Sequence, residues 1–213
     1  MSRPAGSRNK DFEASRQAIV LVLQAHLREH PDPQLSFRQL AELAGVSVPT
    51  LRHYFGDAPG VLTAVLHRYR EDGEPFIRAA AEEGPAELAA SLRAFAQDFL
   101  LGWRFGVRPI HELGLAAGLG DPTLGPVYVD ALLEPTTQAL EARLARLAAA
   151  GTLPPADFRH AALCFIAPLF LALLHQDTLG GRGCRPLDLQ AFADDHVARF
   201  LRAWGPGSFG ADP

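Results

Sequence analysis

Glycine at 45 and proline at 49 divide residues 36–55 into two short helices, and no other feature constrains the chain's fold as tightly. "SFRQ" (Ser36–Gln39) reads as a capping box, the Ser36 hydroxyl accepting from the Gln39 amide while the Gln39 side chain reaches back. Phe37, Leu40, Ala41 and Ala44 then share one apolar face. Gly45 supplies the left-handed backbone that ends the helix. Ser47 caps the next one, which puts Pro49 in the first turn, where no N–H is owed to a preceding carbonyl. At roughly 100° per residue, Leu51 and Phe55 point inward. Pro49, Arg52 and His53 share the opposite face, flanked by Thr50 and Tyr54 on one side and Val48 on the other.

The spacing of Ala41, Gly45 and Leu51 is what a helix-turn-helix needs: a small residue for close approach, a sharp turn, and a knob on the second helix. An ordinary helical hairpin in a core has the same spacing. An outward Arg52–His53 face next to a basic N-terminal arm favours DNA. Charge is distributed to match. Residues 1–70 hold nine Lys/Arg against six Asp/Glu, a net +3, and residues 71–213 hold eleven against eighteen, a net −7.

Little in the chain alternates with a strand's period, so the expected fold is all-α. Residues 1–10 are expected to be a flexible basic arm, in which Arg3, Arg8 and Lys10 are candidates for an adjacent groove. Residues 11–56 form a three-helix helix-turn-helix domain, whose first helix places Phe12, Ile19, Val22, Leu23 and Leu27 inward. A connecting helix spans 57–73, entered through the turn "GDAPG" and stopped by "EDGEP". A helical body follows over 74–206, with helices near 76–83, 86–106, 108–118, 123–150, 155–179 and 187–203, and 207–213 is a flexible tail. Cys164 and Cys184 make neither a disulfide framework nor a metal pattern, which fits a reducing cytoplasm. The start "MSRPAGSRNK" lacks the apolar segment of a secretory signal. The run Ala161–Leu174 is shorter than the ~20 residues of a bilayer span, so no membrane partner is expected. HExxH, a phosphate-binding glycine loop and a GxSxG elbow are all missing, so neither an enzyme nor a cofactor is expected.

The stretch from Phe37 to Leu66, with "AGVS", "TL" and "HYF" in its helix-turn-helix, resembles the TetR family of bacterial transcriptional regulators, and the likeness is specific over about residues 12–66. The resemblance implies DNA reading by Ser36, Arg38, Ser47, Val48, Pro49, Thr50, Arg52, His53 and Tyr54. Arg52 and His53 are expected on base edges, Val48 and Pro49 on a thymine methyl, Thr50 and Tyr54 on phosphates, and Ser36, Arg38 and Ser47 on the backbone at helix starts. Tyr54 has a structural alternative, packing against the first helix. The chain departs from the family pattern at three positions: Arg52 stands where Tyr is usual, Ala58 where Lys is common, and Pro49 where Gly is frequent. These changes bear on the operator sequence.

A single helix-turn-helix makes few contacts, so a homodimer on a palindromic operator is expected, with half-sites about 34–36 Å apart or a multiple of that. By resemblance the last two long helices pair with their mates, through Phe165, Leu169, Leu173, Phe192, His196 and Phe200; the alternative is that they form a core within one chain. Phe99, Trp103, His111, Tyr128 and His175 are candidates to line a mostly apolar effector cavity. The expected function is a repressor released by a small apolar effector. The alternative is a regulator with a filled body, constitutive or controlled by a protein partner.

Overall fold

The structure is a computed structural model that describes residues 5–206. Eleven α-helices occur among the described residues: α1 (Ala5–Glu29), α2 (Phe37–Leu43), α3 (Val48–Phe55), α4 (Ala58–Glu82), α5 (Leu88–Gly102), α6 (Arg108–Gly120), α7 (Leu124–Tyr128), α8 (Glu134–Ala149), α9 (Phe158–Leu173), α10 (Gly181–Cys184) and α11 (Leu189–Trp204). Three π-helical turns, Trp103–Val107, Val129–Leu133 and Leu174–Thr178, follow α5, α7 and α9. No strand occurs among the described residues, in keeping with the all-α expectation. The expected tail 207–213 lies outside them.

Contacts divide the chain into two compact units, Met1–Gly73 with Pro109–Leu132, and Glu74–Arg108 with Leu133–Pro213. In the first unit Ile19, Leu23 and Leu27 of α1, Leu40 of α2, Leu51 of α3 and Val65 of α4 are each buried. Val22, expected inward, is 48% exposed, because α1 is apolar beyond the one face its neighbours cover. The segment 109–132 was expected with the body and clusters instead with the helix-turn-helix unit. In it, α6 and α7 approach backbone to backbone, a Cβ on Gly118 falling 3.1 Å from the Gly125 Cα. A Cβ on Gly114 would overlap the Tyr128 ring.

The second unit is built on Leu92, Phe95, Leu140, Leu144, Phe165 and Phe200. Phe158–Thr178 is a 21-residue helical run, long and apolar enough by length and composition to cross a membrane. One face of it, with Ala162, Phe165, Leu169 and Leu173, is buried in this unit.

Two helix boundaries differ from expectation. The first helix begins at Ala5, six residues before its expected start and within the expected arm. The break at "EDGEP" is not made: α4 runs unbroken through Pro75 to Glu82. Proline deprives α4 of one hydrogen bond, but the far end of the helix is held from α8. Arg143 Nε donates to the Ala80 carbonyl at 2.6 Å, and Arg146 Nη2 to the Glu83 carbonyl at 3.2 Å. Two cations thus meet the negative end of the helix dipole. Arg143 is 2% exposed, and burial lowers the pKa of its guanidinium. Its Nη1 also donates to the Ser91 carbonyl, and its guanidinium lies over the Phe95 ring at 5.4 Å.

The glycines give a paired test. Gly73 lies inside α4 with open space around its Cβ direction, so Gly73→Ala should stabilise by about 0.5–1 kcal/mol through helix propensity. Gly114→Ala should destabilise by about 1–3 kcal/mol, because overlap with Tyr128 outweighs that gain. Urea denaturation of the two variants should move their midpoints in opposite directions.

Candidate nucleic-acid interface

Local rules set the start of both short helices. Ser36 Oγ accepts from the Gln39 amide at 3.3 Å, and Gln39 Oε1 accepts from the Ser36 amide at 2.9 Å, completing the capping box of α2. Gly45 turns the chain at φ +67°. Ser47 Oγ accepts from the Thr50 amide at 3.2 Å and lies 2.7 Å from Thr50 Oγ1, so both hydroxyls are engaged at the start of α3.

Packing decides which way α3 faces. Leu51 is completely buried where α3 packs on α2, whose Leu40 and Ala41 are each 1% exposed. Pro49, Arg52 and His53 are exposed as a consequence, and Val48, Thr50 and Tyr54 are half-buried at the flanks. The stripe therefore faces solvent, and the alternative of a hairpin buried in a core does not describe it.

Aromatic rings from the neighbouring helices bracket this stripe. The Phe12 ring of α1 meets His53 edge-on at 5.4 Å and Tyr54 at 4.7 Å. Tyr54 thus packs on the first helix, the structural role left open for it above. The Phe37 ring lies under the Arg52 guanidinium at 5.4 Å, and the Phe55 ring under Arg16 at 5.2 Å. Sequence reasoning missed Phe12 and Phe37 as partners of the exposed face. Each is an ordinary inward aromatic in its own helix, and its contact depends on how the helices cross. Arg38 is exposed but pairs with Glu42 at 2.8 Å, a contact that raises its pKa and that a phosphate would have to displace. At the start of α4 the Gly60 amide is taken by the Asp57 carboxylate at 2.9 Å. Of the basic arm residues, Arg3 and the Arg8 side chain lie outside the described residues, and Lys10 is exposed on α1.

The five expected effector residues are divided between the units. His111 and Tyr128 belong to the first, where the Tyr128 hydroxyl and His111 Nδ1 share a 3.0 Å hydrogen bond. Burial pushes the His111 pKa down to about 4 and drives that of Tyr128 upward. Phe99, Trp103 and His175 belong to the second. Trp103 is buried, its indole N–H donating to Asp177 Oδ2 at 3.1 Å and its ring edge-on to Phe170 at 5.7 Å. Phe99 is half-buried beside the core. His175 departs from the expectation: it is exposed, one turn after the exposed Leu171, and bonded to Gln176 at 2.7 Å within the π-helical turn Leu174–Thr178. A cleft of about 280 Å³ lies elsewhere, between Glu87, Leu88, Ala89, Thr152, Leu201 and Gly205, and none of the five lines it.

The expected dimer residues differ in exposure. Phe165, Leu169, Leu173 and Phe200 are 0%, 1%, 2% and 5% exposed within a single chain, so their surface is already spent on the chain's own core. Phe192 and His196 are half-buried and stacked, and His196 Nε2 donates to the Phe165 carbonyl at 2.8 Å. The solvent side of α9 carries other residues: Leu163 at 44% and Leu171 at 63% exposure, with Cys164 and Ala167 between them. Cys164 and Cys184 are both free thiols.

The family profile for the C-terminal domain of AefR-like transcriptional repressors matches residues 90–206. Solved structures with the same fold include one assigned to the TetR regulators from Mesorhizobium loti MAFF303099, with a TM-score of 0.73 at 18% identity, covering 91% of this chain and 98% of that one. A TetR transcriptional regulator from Agrobacterium tumefaciens superposes with a TM-score of 0.68 at 22% identity, covering 92% and 96%. SmeT, the repressor of the Stenotrophomonas maltophilia multidrug efflux pump SmeDEF, gives 0.61 at 20% identity, covering 95% and 98%, and has also been solved in complex with triclosan. No curated protein matches the chain in sequence.

His111 predicts a pH dependence. The unfolded chain takes up a proton on this residue below about pH 6.5, whereas the folded chain does so only near pH 4. Stability is therefore full above the upper value, falls as pH drops through the window, and levels off below it, by on the order of 3 kcal/mol in all. His111→Gln, which keeps a polar partner for Tyr128, should flatten that segment of the curve in urea titrations between pH 7 and pH 4.

Proposed function

The chain belongs to the TetR family of transcriptional regulators, and we propose on that premise that it is a cytoplasmic repressor that binds a palindromic operator as a homodimer. The observation that carries this reading is the exposed Pro49–Arg52–His53 stripe, on a helix whose opposite face is closed by the complete burial of Leu51. In this reading α3 enters the major groove, Arg52 forms two hydrogen bonds to a guanine edge, and His53 reads the neighbouring base. Val48 and Pro49 meet a thymine methyl. Thr50, Ser36, Ser47 and Arg38 line the phosphates, Arg38 exchanging Glu42 for one of them, while the Tyr54 ring stays packed on Phe12.

The dimer forms through the solvent side of α9, where Leu163, Ala167 and Leu171 recur at helical spacing and offer an apolar face. A small, mostly apolar effector then lowers DNA affinity by binding better to a body arrangement that misplaces the two heads. SmeT's complex with triclosan supports the effector at the level of fold. One observation favours the second reading, a regulator with a filled body: His111 and Trp103 are both buried and already hydrogen-bonded within the chain.

Three measurements test these assignments. With a duplex selected from a random library, Arg52→Ala should weaken binding and relax the preference at one base pair per half-site, by about 1–3 kcal/mol each. An unchanged binding profile would remove Arg52 from the base-reading role. Leu171→Glu should convert the dimer to monomer in sedimentation velocity runs and abolish tight operator binding with it. In a thermal-shift screen of apolar compounds, those that raise the melting temperature should also release the duplex; a body that no compound stabilises supports the filled-body reading.

A further inference from the structure

We propose that Phe37 presets Arg52 for DNA, acting as a positioning residue that determines how sharply the recognition helix discriminates at the Arg52 base pair. The inference rests on the reading of Arg52 as a base-contacting side chain. It starts from a geometric fact: the Arg52 guanidinium lies 5.4 Å from the centre of the Phe37 ring. Among the described residues no carboxylate pairs with Arg52, whereas Arg38, one helix earlier, is tied to Glu42.

The chemistry of the two side chains makes this arrangement productive. A guanidinium is attracted to an aromatic face as a cation and donates hydrogen bonds through its edge. A ring partner, unlike a carboxylate, therefore accepts none of the bonds that the five N–H donors can make. An arginine free in solvent samples many rotamers, and fixing one of them on a base costs entropy. The ring removes part of that cost before DNA arrives. A carboxylate partner would instead occupy the donors that guanine needs.

The ring itself is held by features already described. Phe37 is the first residue of α2, whose first turn is locked by the Ser36–Gln39 capping box. The crossing of α2 and α3 is set by Leu40, Ala41 and Leu51, all at or near zero exposure. Phe37 is half-buried, which anchors one side of the ring while leaving a face for the cation.

The test is a double-mutant cycle in the full-length protein, against a duplex selected from a random library by the wild type, with binding read by fluorescence anisotropy. Phe37→Ala should lower affinity about three-fold per half-site, or about ten-fold for two half-sites, and weaken the preference at the Arg52 base pair. Phe37→Leu, which keeps apolar bulk without the π face, should lose as much, and Phe37→Tyr should keep the wild-type value. In an Arg52→Ala background Phe37→Ala should change affinity less than two-fold. The slope of log affinity against log salt should stay at the wild-type value, because no phosphate contact is removed. If Arg52→Ala costs affinity while Phe37→Leu is silent, or if Phe37→Leu costs as much with Arg52 absent as with it present, Phe37 is only a packing residue and this inference fails alone. If Arg52→Ala is itself silent, the base-reading assignment fails and takes this one with it. Melting temperatures of the Leu and Tyr variants within a few degrees of wild type establish that the losses arise at the interface.

Discussion

The burial of Leu51, in the helix that packs on α2 with its buried Leu40 and Ala41, is the constraint on which the recognition face depends. A helix of eight residues has too few hydrogen bonds to persist alone. Its stability comes from packing, and its orientation comes with it. Once Leu51 is removed from water, the geometry of the helix directs Pro49, Arg52 and His53 outward. The caps at Ser36 and Ser47 and the turn at Gly45 set where each helix begins, but without that apolar contact the stripe would have no fixed direction.

The same logic orders the second unit through a buried cation. Arg143 joins the carbonyls of Ala80 and Ser91 and lies on Phe95, linking the end of α4 to α5 from α8. A buried guanidinium is costly unless its donors are met, and here backbone carbonyls accept from Nε and Nη1. Because α4 is held at its far end, Pro75 does not terminate it. The expectation of a break at "EDGEP" was sound as local chemistry and was overridden by tertiary contact.

The N-terminal part of the chain was largely legible. Capping residues, glycine turns and first-turn prolines act over three or four positions, so they can be read directly from the string of residues, and the turns at Gly45 and Gly56 lie where they were expected. The exposed stripe was legible for the same reason. In the body the sequence misled on faces. Phe165, Leu169 and Leu173 belong to a helix apolar around much of its circumference, where periodicity does not say which side meets the chain's own core. Phe200 lies on the one apolar face of the amphipathic α11, which could serve either a core or a partner. Those residues were expected on a partner surface; within the single chain they are buried, and Leu163 and Leu171 are exposed. His175 is a further case: it lies one turn after the exposed Leu171, on a side of the helix that periodicity alone could not assign.

The sequence by itself determined an all-helical chain, a helix-turn-helix between Ser36 and Phe55, and a stripe of Pro49, Arg52 and His53 opposite Leu51. Tertiary structure alone decided that Phe37 lies under Arg52, that Phe12 brackets His53, that α4 continues through Pro75, and which side of α9 stays open to solvent. The reason is range. Caps, turns and helical faces follow from neighbours a few residues apart, whereas contacts between helices depend on crossing geometry that every buried side chain sets together.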